Sequence, residues 1–149
     1  MIGMPELLEF PAEFLAAAKG CFAHFEKHRA AHSRLTELAE GQRRWGLPVF
    51  CIGEFLRIVT HPRLFDRPLG NDEAITLLER LAESPVFSLL LPGDRFLPLL
   101  REAIIESGAT GNLVFDAQIV ALCREAGAQS LLTEDRDYAR FRGFPVKRL

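Results

Sequence analysis

A chain of 149 residues with 48% hydrophobic content is long enough for one domain with its own core and too short for several. A net charge of -2 and an isoelectric point near 6.1 exclude a strongly basic nucleic-acid coat, while leaving room for local basic patches. The three cysteines, Cys21, Cys51 and Cys123, are widely spaced and lack a Cys-x-x-Cys pair. That excludes a disulfide framework and a structural zinc site and leaves them as small buried apolar residues. No apolar run approaches the roughly 20 residues of a membrane span, and the N-terminus lacks the basic start and apolar stretch of a signal peptide. The chain is therefore expected in the cytoplasm, with no membrane partner.

In chain order, residues 12 to 40 carry a helical pattern in which Phe14, Leu15, Phe22, Phe25, Leu35 and Leu38 are separated by charged residues, with Gly41 as the stop. Trp45 to Phe50, interrupted by Pro48, reads as a lead-in segment or a short edge element, because proline removes a ladder donor. A helix is expected from about Ile52 to Thr60, halted before Pro62. Asn71 and Asp72 are candidate caps for a helix carrying Ala74, Ile75, Leu77, Leu78 and Leu81, which Ser84-Pro85 ends. Val86 to Leu91, bounded by Pro85 and Pro92-Gly93, is the clearest strand. An amphipathic helix over 95 to 107 closes at Gly108, and after the loop Ala109 to Asn112 a second helix extends to about Ala126 and closes at Gly127. Short strands are expected at Gln129 to Thr133 and Pro145 to Leu149. The alternation implies an α/β fold with a mainly parallel central sheet covered by helices on both faces.

In such folds, sites gather beyond the carboxyl ends of the strands. Asp135 and Asp137 follow the strand that ends near Thr133, so they are expected at that edge. Asp116 stands near the start of its helix among Leu113, Val114, Ile119 and Val120, where the helix dipole favours an anion by roughly 0.3 to 1 kcal/mol. Glu54 is expected at a similar early position beside Phe55, Ile58 and Val59. Taken singly, each acid reads as a cap, a dipole partner or a solvated turn. Together they would repel and raise one another's pKa unless a cation neutralises them, and an all-oxygen donor set suits magnesium or manganese. Ions of that kind activate water for phosphodiester hydrolysis.

The segments CIGEFLRIVTHPRLF (51 to 65), GNLVFDAQIVAL (111 to 122) and LLTEDRDYARF (131 to 141) resemble the corresponding stretches of PIN-domain proteins of the VapC type, the toxin ribonucleases of toxin-antitoxin pairs. The resemblance runs over roughly residues 28 to 149. It implies a three-layer α/β/α sandwich in a single domain, an acidic magnesium site that hydrolyses RNA, an antitoxin protein partner and a homodimer. Carried over by position, Glu54, Asp116 and Asp135 correspond to metal ligands, with Asp137 assisting catalysis, and Asn112 and Thr133 to polar residues that line or support the site.

Residues 1 to 27 depart from the family pattern. PIN domains of this type open on an apolar strand ending in Asp-x-Asn, and no such motif occurs here. Counting back from His28 leads to Glu13, in a helical setting; Leu7-Leu8-Glu9-Phe10 offers a first strand with Glu9 instead. Two readings beside the active toxin nuclease stay open: an inactive PIN domain kept as an RNA- or protein-binding module, and a start or frame error upstream.

Other features have plainer readings. His24, His28 and His32 fall on one helical face without carboxylate or cysteine companions and read as a solvated face. Arg43, Arg44, Arg57, Arg63 and Arg67 outnumber Glu54 and Asp66 locally, which marks Arg43, Arg44 and Arg57 as candidate RNA-backbone contacts against the alternative of ordinary surface pairs. Trp45 could stack a base, although a single tryptophan more often belongs to a core. The phenylalanines at 14, 22 and 25 read as core, with a dimer or antitoxin groove as the other use.

Overall fold

Five short strands make up the sheet: β1 (Glu6–Leu8), β2 (Trp45–Pro48), β3 (Phe87–Leu90), β4 (Leu131–Leu132) and β5 (Val146–Lys147). They lie in the order β3-β2-β1-β4-β5 and every pair is parallel. The computed structural model describes residues 6–8, 37, 41–63, 68–133 and 135–148. Four helices connect the described strands: α1 (Val49–Val59), α2 (Asn71–Ala82), α3 (Phe96–Ser107) and α4 (Leu113–Glu125). The helix expected over 12 to 40, with its three histidines, lies outside the described residues apart from Glu37, which is helical and exposed.

The sheet separates two apolar layers. Leu131 and Leu132 are adjacent in β4, so their side chains leave opposite faces. Leu131 joins the main core with Leu47, Val120, Tyr138 and Phe141, whereas Leu132 packs with Trp45. A third cluster, Phe55, Val59 and Ala74, joins α1 to α2. Full burial of large side chains such as Trp45, Phe55 and Phe141 contributes roughly 1.5 to 3 kcal/mol each. The result is the α/β/α arrangement that the alternation of elements implied.

Three local expectations need correction. Trp45–Pro48 is an interior strand, hydrogen-bonded between β3 and β1 and buried throughout, not a lead-in or an edge. Pro48 is tolerated because it is the last residue of the strand and, at φ -60° and ψ 135°, the residue from which α1 departs. α1 consequently begins at Val49, not near Ile52, and Glu54 stands more than a turn inside it. There the helix dipole has largely faded. At the second helix, Gly70 occupies the cap position without a side-chain cap, so Asn71 and Asp72 belong to the first turn instead.

Two carboxylates brace the helices. Glu125, the last residue of α4, accepts the N–H groups of Gly93 and Arg95, each at 2.8 Å, and so fixes the approach to α3. A Cβ on Gly93 would come within 2.8 Å of Glu125 Oε1 and would require that carboxylate to shift from its two N–H donors. Glu106 accepts from Arg124 Nη2 at 2.5 Å and from the Gly143 N–H at 2.7 Å, joining α3, α4 and the C-terminal segment. Burial penalises its charge, yet those two donors and the positive charge of Arg124 outweigh that penalty and hold the carboxyl below its ordinary value. Cys51 and Cys123 are buried thiols outside any disulfide. Burial, with Cys51 nearby, pushes the Cys123 thiol well up, so it stays an inert apolar group.

Candidate metal centre

The turn after β4 is built residue by residue. Thr133 is buried, and its N–H donates to the Lys147 carbonyl at 3.1 Å, which extends the ladder to β5. Its hydroxyl oxygen accepts the Asp135 N–H at 3.1 Å. Asp135 in turn caps the short 3₁₀ helix Arg136–Arg140 by accepting the Asp137 N–H at 2.9 Å. Each bond fixes the next backbone group, so two exposed aspartates are held in a defined relation. Tyr138 follows, fully buried in the main core, and anchors the turn from below.

Asp116 arrives from another element. It lies in the first turn of α4, next to the buried run Ala117 and Ile119 to Cys123 that seats this helix on the sheet. One carboxylate oxygen from each of Asp116, Asp135 and Asp137 lies within 4.8 Å of the others. Like charges at such a separation repel by roughly 1 kcal/mol in water and about 3 kcal/mol at an effective dielectric near 20. The Asp116 carboxyl is pushed up to about 6. Partial burial is the largest cause, followed by the charge of Asp135; hydrogen bonding from Tyr138 opposes the shift, and Asp137 adds to it. The donor set is all oxygen, carries three formal charges and receives no described cationic partner within the cluster. That is the chemistry of a hard divalent-cation site, so the residues fit magnesium or manganese.

The cluster opens into a cleft of about 840 Å³ whose walls include Glu54, Arg57, Asn112, Phe115 and Ile58. Glu54 therefore shares the cleft, but its carboxylate is bound by its own helix: Arg57 Nε donates to Oε2 at 3.0 Å and Arg57 Nη2 donates to Oε1. Both side chains are exposed, at 61% for Arg57 and 46% for Glu54, so the pair is weak enough to open. Asn112 precedes α4 at the cleft without capping it. Arg43 and Arg44 are not brought there. They are exposed and precede the amino end of β2, while the carboxylates lie beyond the carboxyl ends of the same parallel sheet. Glu9, Glu13 and Arg67 lie outside the described residues. Two residues not singled out from the sequence belong to the site: Tyr138, the chain's single tyrosine, and Phe115. Their signal was faint, a lone tyrosine directly after Asp-x-Asp and an apolar residue directly before Asp116.

No helix among the described residues is long and apolar enough to cross a membrane. The family model described as PIN domain matches residues 20–143. Ribonuclease VapC43 of Mycobacterium tuberculosis is 32% identical over 120 residues, 80% of this chain and 81% of its own length. Ribonuclease VapC48 of the same organism is 33% identical over 93 residues, 62% of this chain. That match spans 64% of VapC48, just under two thirds of its length. Among solved structures, the VapBC2 complex from Rickettsia felis, bound to a DNA fragment from their promoter, contains a chain that superposes with a TM-score of 0.61 at 14% identity. The superposition covers 97% of this chain and 98% of that one and supports the fold.

Proposed function

The chain belongs to the PIN-domain family, and from that premise we propose that it is a divalent-metal-dependent endoribonuclease, the toxin of a toxin-antitoxin pair. The observation that carries the reading is the convergence of Asp116, Asp135 and Asp137 from two separate elements onto one cleft. The VapC ribonucleases similar to this chain supply the substrate class, and the VapBC2 complex supplies the expectation of an antitoxin partner.

In this reading the three aspartates hold the ion, magnesium or manganese. When bound, it supplies Lewis acidity toward water and phosphate and offsets negative charge on the leaving oxygen. Thr133 positions Asp135, and Asp135 positions Asp137, through the two backbone bonds already described. Tyr138, buried beneath the turn, lies close enough to the Asp116 carboxyl to favour its charged form. Glu54 is a reserve acid that joins the ion only by giving up Arg57, and the released guanidinium is then free to pair with a phosphate oxygen. β1 ends at Leu8, paired with Leu132, and the next residue in the chain is Glu9. Of the two N-terminal acids, Glu9 directly follows β1 in the sequence, which makes it the better stand-in for the family's first aspartate.

The test is cleavage of unstructured RNA by the purified chain with magnesium or manganese, alongside Asp116→Ala, Glu9→Gln and Glu13→Gln. Cleavage that needs the metal, Asp116 and Glu9, but not Glu13, supports the proposal. A wild type that binds RNA and leaves it intact would instead establish the second reading, an inactive binding module. Recovery of activity after the family's first strand is restored would show that the remaining residues are competent.

A further inference from the structure

Phe115 is the one exposed aromatic side chain among the described residues. The residue is 63% exposed, whereas Trp45, Phe55, Tyr138, Phe141 and Phe144 are buried and the other described phenylalanines are at least half-covered. Leaving a phenylalanine in water forgoes most of the roughly 1.5 to 3 kcal/mol that its burial contributes. The position is also specific: Phe115 lines the same cleft as the three aspartates and directly precedes Asp116 in α4.

The surroundings restrict what the ring receives. An apolar protein helix needs a contiguous exposed apolar face, but Asn112 and Asp116 flank Phe115, and the other apolar residues that line the cleft, Phe50, Cys51, Ile58, Leu113 and Ile119, are buried or largely covered. One flat exposed ring in an open cleft that also holds three carboxylates matches a flat, amphipathic partner instead. A nucleobase has that form: its π-face stacks on an aromatic side chain while its polar edge stays hydrated. In a duplex that face is already stacked on its neighbours, so only an unpaired base can offer it.

We propose that Phe115 is a stacking platform for an unpaired nucleobase of an RNA strand lying along the cleft that contains the aspartate cluster. Cleavage of that strand rests on the nuclease reading above; the stacking itself does not.

The experiment uses the full chain as wild type, Phe115→Ala, Phe115→Tyr and Phe115→Trp. The probe is a fluorescently labelled pyrimidine-rich 12-mer, alone and annealed to its complement. Binding is measured with metal chelated, cleavage with magnesium, and particle mass by light scattering. Phe115→Ala should weaken single-strand binding and kcat/KM about tenfold, with duplex binding unchanged and Phe115→Tyr near wild type. In Phe115→Trp, emission should be quenched saturably by the single strand, since Trp45, the chain's own tryptophan, is fully buried. The proposal is overturned if Phe115→Ala binds the single strand as the wild type does, if Phe115→Trp emission does not respond, or if Phe115→Ala changes the particle mass and so marks a protein contact. Quenching without any cleavage by the wild type would sink the nuclease reading and leave the platform standing.

Discussion

Asp116 and Glu106 are both carboxylates on helices that pack together, and the fold treats them in opposite ways. Glu106 meets a guanidinium and a backbone N–H and is held below its ordinary value. Asp116 is partly buried, meets two more carboxylates and is pushed up to about 6. The first carboxylate is satisfied by the protein and serves the fold. The second is left short of positive charge, and the shortage is what an external cation would fill. Glu54 stands between them, satisfied by Arg57 but in an exposed pair that solvent screens.

The largest effect is expected at Asp116. Asp116→Asn should lower RNA cleavage on the order of a thousandfold, because the ion's several kcal/mol of charge stabilisation depend on its ligands. The same change should raise the melting temperature of the metal-free protein at neutral pH, since it removes a repelled charge. A drop in melting temperature would place Asp116 with Glu106 as a structural acid. Glu106→Gln should do the reverse. It should cost about 1 to 2 kcal/mol in urea unfolding, the scale of a partly screened charge-assisted hydrogen bond, and leave cleavage per folded molecule unchanged.

The third expectation concerns pH. The folded-state value of Asp116 lies above its unfolded value, so between about pH 4 and pH 6 the metal-free fold binds more protons than the unfolded chain. Stability from this group is present below that window and lost as pH rises through it. Magnesium relieves the loss, so its gain in melting temperature should be larger at pH 7.5 than at pH 5, by a few degrees for roughly 1 kcal/mol. An equal gain at both values would detach the ion from Asp116. The smallest effect is reserved for Glu54→Gln: under about 0.5 kcal/mol of stability and a magnesium affinity, measured by titration calorimetry, within a few-fold of wild type. A tenfold weaker affinity would move Glu54 from the reserve position onto the ion.

Much of this was legible before any coordinates. The apolar run over 86 to 91, the left-handed glycines after α3 and α4 at φ 65° and 70°, and the order of helices and strands follow from local propensity and from Gly and Pro as stops. So did Asp116, Asp135 and Asp137 as acids in unusual settings. Pro48 misled because its cost depends on its place in the ladder: at the end of an interior strand the missing donor matters little. Glu54 and Arg57 could be read as neighbours three apart on a helix, but not as partners that occupy each other in the same cleft as the cluster.

The sequence by itself determined most element types and the parallel α/β class, and it marked the acids that offer oxygen donors, because those depend on short-range periodicity and on side-chain chemistry. The tertiary structure decided which acids meet, that Arg43 and Arg44 lie at the other edge of the sheet from them, and that Phe115 remains uncovered beside them. Distances between residues about 20 positions apart, such as Asp116 and Asp135, are set by how α4 lies against the sheet. No local pattern encodes that crossing; only the packing of the whole core does.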